Sequence, residues 1–249
     1  MELRTQNSGW RIPDAPLRGS AVTSKLIGLA AVVALAGAAR AGLPLGDRYP
    51  LKAAALFAAI MGLSLGFLRQ HHPFARFGAA NQMTTLRAIL VALIAGLIGE
   101  PRRPAIAIAA VAASAAVIVL DGVDGWLARR QAIASPFGAR FDMEIDALLI
   151  LALSTLAWRH GKAGAWVVAS GLLRYAFVVA GSLAPWLRAP LPPSRRRQTI
   201  CVLQIAALTL VMLPAIQPPA SAWLAGAALA ILAWSFLVDT VYLYRRPAA

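Results

Sequence analysis

Five of the chain's ten carboxylates, Asp121, Asp124, Asp142, Glu144 and Asp146, fall within 26 residues of one another, at the ends of two strongly apolar stretches. Acids at the edge of apolar segments are costly to place, so their presence points to function. Asp121, Asp124, Gly125 and Ala128 recur at i, i+3, i+4 and i+7, and Gly138, Asp142 and Asp146 at i, i+4 and i+8, so each set forms one stripe along a helix. Glu144 lies about 200° around the helix from Asp142 and is left out of the stripe. Four aspartates brought close together repel one another unless cations sit between them. With oxygen donors only and no His or Cys beside them, they select hard divalent ions, Mg²⁺ or Mn²⁺, over Zn²⁺. Two such ions held by Asp121, Asp124, Asp142 and Asp146 form a clamp for phosphoryl oxygens.

The elements that must carry these stripes are membrane helices. Of the 249 residues 59% are apolar and 14% charged, with mean hydropathy +0.68, which excludes an ordinary soluble globule. The apolar residues come in blocks long enough to cross a bilayer, predicting spans at about 26–45, 51–68, 80–99, 104–128, 137–158, 163–185, 199–216 and 221–243. The expected fold is an all-α polytopic transmembrane bundle. A basic cytosolic tail (1–25) precedes two N-terminal transmembrane helices (26–70) and a six-helix catalytic membrane domain (71–249). The first apolar run follows a long polar lead without a convincing cleavage site before Arg40, and reads as a retained span. Ser135 and Pro136 can open the fifth span, making spans four and five antiparallel neighbours whose carboxylates face each other.

The net charge of +14 would suit a nucleic-acid partner, but the cations sit in short loops between apolar blocks, so none is expected. With the N-terminus in the cytosol, 15 Lys/Arg fall on the cytosolic side and seven opposite, while Arg87 and Arg174 lie within spans. This bias puts both termini and the acidic cluster on the cytosolic side. Cys201 has no second cysteine, which excludes a disulfide, and reads as helix packing. His71, His72 and His160 lack companions at metal-ligand spacing and read as solvated loop residues, while Trp158, Trp166 and Trp186 mark span ends.

The stretch Asp121-Gly-Val-Asp124-Gly125-Trp-Leu-Ala128-Arg129, eight residues, then Gly138-Ala-Arg-Phe-Asp142-Met-Glu-Ile-Asp146 fits DxxDGxxAR(x8)GxxxDxxxD at all eight fixed positions. That pattern resembles the motif of the CDP-alcohol phosphotransferase (phosphatidyltransferase) family, class I. Asn81-Gln-Met-Thr84-Thr-Leu-Arg87 is similar to the NxxTxxR opening of the family's first core helix. The resemblance covers the six spans from about residue 80 to 244 and leaves the first two unexplained.

The resemblance implies an enzyme of phospholipid biosynthesis in a bacterial cytoplasmic membrane that moves a phosphatidyl group from CDP-diacylglycerol to an alcohol. By analogy Asp121, Asp124 and Asp142 hold two divalent metal ions, and Asp146 is the general base that also touches a metal. Asn81, Thr84, Gly125, Ala128, Arg129 and Gly138 line the nucleotide, and family members commonly pair as homodimers. Where phosphatidylglycerophosphate synthases commonly read DPxxDK, this chain reads Asp142-Met-Glu-Ile-Asp146-Ala, so the motif leaves the acceptor open.

Several other charges have two readings. Arg174, in mid-span, faces either the active-site cavity or a structural acid, and Arg195, Arg196 and Arg197 either set topology and meet lipid head groups or bind an acceptor phosphate. If both functional readings hold, the acceptor is a phosphorylated alcohol such as glycerol 3-phosphate. Asp239 is expected to pair with Arg245 or Arg246, and the acidic cluster has as its bland alternative an ion-pair network with Arg129, Arg130 and Arg140. A cation transporter would spread its acids over several spans with repeated topology, and a silent scaffold would have lost motif residues. Neither pattern is present.

Overall fold

The computed structural model describes the backbone at 15–71, 79–131 and 136–245, and the side chains of 23, 25–62, 82–122 and 140–245. Every regular element in it is helical. In chain order these are α1 (Ala15–Gly42), α2 (Tyr49–His71), α3 (Ala79–Gly96), α4 (Pro104–Gln131), α5 (Pro136–Arg159), α6 (Ala169–Leu183), α7 (Arg195–Val211) and α8 (Ala220–Tyr244), with single 3-10 turns at Ala165–Val168 and Pro185–Arg188. In a bilayer the backbone's own polar groups must be satisfied within the chain, and Ala-, Leu- and Val-rich segments do this as helices.

Four stretches, Lys25–Gly42, Pro104–Gly122, Ala165–Leu183 and Ala220–Tyr244, are long and apolar enough to cross a membrane, and Tyr49–Gly62 and Gln82–Gly96 are shorter apolar helices. The chain is an integral membrane protein. Two boundaries differ from those the hydropathy predicts. Helix α1 begins at Ala15, inside the expected polar tail, and Arg195–Arg197 form the first turn of α7 instead of preceding it. Hydropathy marks the length that lipid covers, whereas hydrogen bonding carries a helix on into the polar zone.

Helix α5 is the centre of the bundle, packed on α3, α6 and α7, while α4 bridges α3 and α7, and α8 lies on α7. The two N-terminal helices pack on each other and both dock on α3. Leu149, Leu153 and Leu156 of α5, Ile94 of α3 and Leu208 of α7 are fully buried in a core that Phe57 of α2 joins. Helices α5 and α6 approach so closely that a Cβ on Gly171 would run into the backbone of Leu151 and lie 2.7 Å from its Cβ. Small residues at such crossings let helix backbones touch where lipid supplies no hydrophobic drive.

At the end of the bundle away from the acidic stripes, two polar clasps fix the helix ends. Glu100 accepts from the Gly46 N–H at 2.6 Å and from Lys52, whose Nζ also reaches the Ile98 carbonyl at 3.2 Å, tying the α1–α2 turn to the α3–α4 turn. Gly161, at φ +70°, closes α5 with the Gly161 N–H on the Trp158 carbonyl (3.0 Å) and the Lys162 N–H on Ala157 (2.9 Å). This left-handed closure suits glycine. Lys162, expected in an open loop, is buried, and its Nζ donates to the carbonyls of Leu213 (2.9 Å) and Ile216 (2.7 Å), while Ser221 donates to its carbonyl at 2.6 Å. His160, expected to be solvated, is half-buried, and burial followed by Arg102 and Lys162 lowers its pKa.

Two outcomes follow for stability in detergent. Gly171→Ala lowers the unfolding free energy by about 1–3 kcal/mol, since the overpacked contact is with backbone; a thermal melt checks it, and an unchanged midpoint rejects the close crossing. Burial opposes ionisation of Glu100, but the Gly46 N–H and Lys52 outweigh it and hold its pKa below the usual carboxylate value. A carboxylate with a depressed folded pKa stabilises above its unfolded pKa and loses that contribution as pH falls through the folded one. Glu100→Gln therefore costs about 1–2 kcal/mol at neutral pH, and its melting curve converges on that of the wild type as the pH drops below the ordinary carboxylate range.

Candidate active site

Three of the four aspartates of the acidic stripes come together. Asp121 on α4 and Asp142 and Asp146 on α5 each offer a carboxylate oxygen, all within 4.8 Å of one another. Asp142 and Asp146 share a face one turn apart, and α4 and α5 bring Asp121 opposite them. Asp124, Gly125, Ala128 and Arg129 lie on α4 and Gly138 on α5, but their side-chain positions fall outside the described residues, as does the side chain of Asn81 on α3. Thr84 is buried on α3, one turn before Arg87. The cleft formed here is lined by Arg87, Val117, Ile118, Asp121, Asp146, Val202 and Ile205, so α3, α4, α5 and α7 all contribute.

The cation within this cluster is Arg87 of α3. Its guanidinium is fully buried; Nη1 reaches Asp121 Oδ1 at 2.9 Å and also Asp142, and Nη2 reaches Asp146. Nε has no partner. Of the arginines in the alternative ion-pair network, Arg140 is exposed and Arg129 and Arg130 lie outside the described side chains; Arg87 was not among them. The sequence held a signal for Arg87, a charge within a span and the closing residue of NxxTxxR, but its partners lie 34 to 59 positions away and no local pattern names them. Cys201 was a second surprise. Its Sγ lies 3.7 Å from Asp146 Oδ2, so the thiol faces the carboxylate instead of merely filling space.

The outer charges form separate pairs. Glu144, turned away from the stripe as its position predicts, binds Arg174 of α6 through Nη2 and, at 3.4 Å, Nε. Asp239 takes Arg196 and, at 3.3 Å, Arg197; of the partners expected for it, Arg245 is exposed and Arg246 lies outside the described residues. Arg196 also donates to the Ser235 carbonyl (2.8 Å) and hydroxyl (2.9 Å) and stacks 5.6 Å from the Trp234 ring centre. Arg195 is exposed.

An oxygen-only trio of this size, at the end of a helix bundle and already gathered around a cation, fits a divalent ion. The model of the CDP-alcohol phosphatidyltransferase family matches residues 77–238. The chain belongs to that family. It is therefore a membrane transferase of the CDP-alcohol phosphotransferase type, acting in phospholipid synthesis on nucleotide-linked and alcohol substrates, and the family uses divalent metals. No curated protein and no solved structure matches the chain. The matched region spans α3 to α8 and leaves α1 and α2 outside it.

The outer pairs give a direct contrast. Arg196→Ala removes a guanidinium held by α8 and lowers the thermal stability by about 1–3 kcal/mol, whereas Arg195→Ala leaves the melting midpoint within about 0.5 kcal/mol of wild type, as surface changes do. Equal melts for the two variants would refute the division of roles.

Proposed function

We propose that this enzyme transfers the phosphatidyl group of CDP-diacylglycerol to a phosphorylated alcohol such as glycerol 3-phosphate, releasing CMP. The observation that carries the reading is the convergence of Asp121, Asp142 and Asp146 at one end of a lipid-facing bundle, where a nucleotide can stay in water while acyl chains enter from the side. Two divalent cations, Mg²⁺ or Mn²⁺, held by Asp121, Asp124, Asp142 and Asp146, would neutralise the pyrophosphate as its bond breaks. Asn81, Thr84, Gly125, Ala128, Arg129 and Gly138 line the CDP moiety.

Asp146 is the general base. It takes the proton of the acceptor hydroxyl, the freed oxygen bonds to the β-phosphorus, and the bond from that phosphorus to the bridging oxygen breaks, with CMP leaving on that electron pair. Ile205 and Val202 line the cleft beside Asp146 and limit the water that competes with the alcohol.

The choice of a phosphorylated acceptor rests on charge. Arg174, Arg195, Arg196 and Arg197 gather on the same end of the bundle: Arg174 reaches the residue between the two α5 aspartates, and Arg197 is one turn before Cys201. Glu144 and Asp239 pair with three of the four, leaving an excess of positive charge suited to a phosphate dianion. In this reading the site and both termini face the cytosol of a bacterial cell, and the chain works as a homodimer.

The test is CMP release by the purified protein with CDP-diacylglycerol and Mg²⁺, offered glycerol 3-phosphate, inositol 1-phosphate, inositol, serine or choline. Release requires metal and a phosphorylated alcohol, and Asp146→Asn reduces it at least about a thousandfold with an intact melt. Release with a neutral alcohol alone overturns the acceptor assignment. Silence across the panel with folded protein overturns the donor and favours a scaffold, and normal turnover in Asp146→Asn removes the base.

A further inference from the structure

Arg87 has a role that the transfer chemistry does not use. We propose that Arg87 is an exchangeable cation of the carboxylate cluster, holding Asp121, Asp142 and Asp146 together before metal arrives and competing with the divalent ion for them. The inference rests on the metal-site reading above.

The geometry is specific. One guanidinium contacts all three carboxylates from α3, while the acids come from α4 and α5. Three negative charges against one positive leave an excess of two, the charge of one divalent ion. Without Arg87, three acids within 4.8 Å would push apart, and α4 would splay from α5. With it, the acids stay gathered in the arrangement that a metal needs, so little reorganisation is required on binding. A guanidinium suits this because its planar fork serves several carboxylates at once, where an ammonium is a point charge. Its Nε is buried with no partner among the described residues, so the described contacts of the guanidinium are all to the carboxylates.

The competition has a sign that a purely structural arginine would not give. Removing Arg87 makes the metal-free protein less stable but makes the site more negative, so metal binds more tightly. The experiment compares wild type and Arg87→Gln in detergent, titrating Mn²⁺ by electron paramagnetic resonance and measuring melts in EDTA and in Mn²⁺. The expected result is a lower melt for Arg87→Gln in EDTA, a larger rise on adding Mn²⁺, and Mn²⁺ affinity increased about tenfold or more, the scale of one lost positive charge a few ångströms away.

If Mn²⁺ binds wild type but binds Arg87→Gln equally or more weakly, the exchange is refuted while the metal site stands. If neither protein binds Mn²⁺, the metal-site reading fails and takes the inference with it. Should Arg87→Gln be recovered only when Mn²⁺ is present throughout purification, the ion has replaced the missing cation, which supports the exchange. If it is recovered under neither condition, Arg87→Lys carries the test: an ammonium cannot span the three acids, so a lower EDTA melt with a larger Mn²⁺ shift supports the proposal, and an unchanged shift overturns it.

Discussion

Carboxylates near the apolar interior of a helix bundle cannot be tolerated singly, and the fold of this protein is arranged around the cation that accompanies them. Arg87 enters from α3, and its three partners sit on α4 and α5, so the contact fixes three helices relative to one another at the point where the chemistry occurs. Breaking a fully buried ion pair by removing one partner costs about 3–5 kcal/mol; here the cost is smaller, because the side chains of Asp121 and Asp142 are 34% and 38% exposed and water can reach them. That sets how firmly α3, α4 and α5 are held together. The surrounding core, Ile94 of α3 and Leu149 and Leu153 of α5, contributes packing but no direction, since lipid is as apolar as leucine.

The opposite end of the bundle is held in another way. There Lys162 donates to the carbonyls of Leu213 and Ile216, and Lys52 donates to the carbonyl of Ile98 as well as to Glu100. The bonds to carbonyls need no second charge and leave no ligand site behind. They also explain what α1 and α2 contribute: outside the family region, they pack on α3 and clamp its far end through Glu100 and Gly46. A helix so anchored at one end presents Arg87 at the other with little freedom to tilt.

How much of this the sequence revealed depends on how local each interaction is. The approach of Asp121 to Asp142 and Asp146 and the rotation of Glu144 away from them follow from helical periodicity, and the geometry agrees; the expected direct packing of α4 on α5 is not what brings them together, since α4 lies on α3 and α7, and α3 and α7 in turn lie on α5. Partners that meet across the bundle were not legible. Asp239 pairs with arginines close in space, Arg196 and Arg197, 43 and 42 positions away in the chain, and the acids meet Arg87 from a helix that their local spacing does not name. Hydropathy likewise found the helices but misplaced the starts of α1 and α7, because a helix does not stop where lipid does. The aspartates of the motif were read from spacing, but the thiol of Cys201 beside Asp146 depends on how α7 packs against α5, which no periodicity encodes.

The charges at the active end divide into two sets that share no residue. Among the described residues Asp121, Asp142 and Asp146 meet Arg87 on the inner side, with the Cys201 thiol also on Asp146, whereas Glu144 and Asp239 hold Arg174, Arg196 and Arg197 on α6 and α7. This separation follows from helix geometry: Glu144 sits between Asp142 and Asp146 in sequence but points to the other side of α5, so an acid two residues from the cluster serves a different helix. A cation can then be exchanged on the inner side without dismantling the pairs that position the outer arginines. The outer pairs fix guanidinium groups in place without neutralising the end as a whole, since Arg195 adds a charge that no described carboxylate meets. The acidic trio faces the other side of α5, so this one helix separates a negative cluster from the arginine that its own Glu144 holds in place.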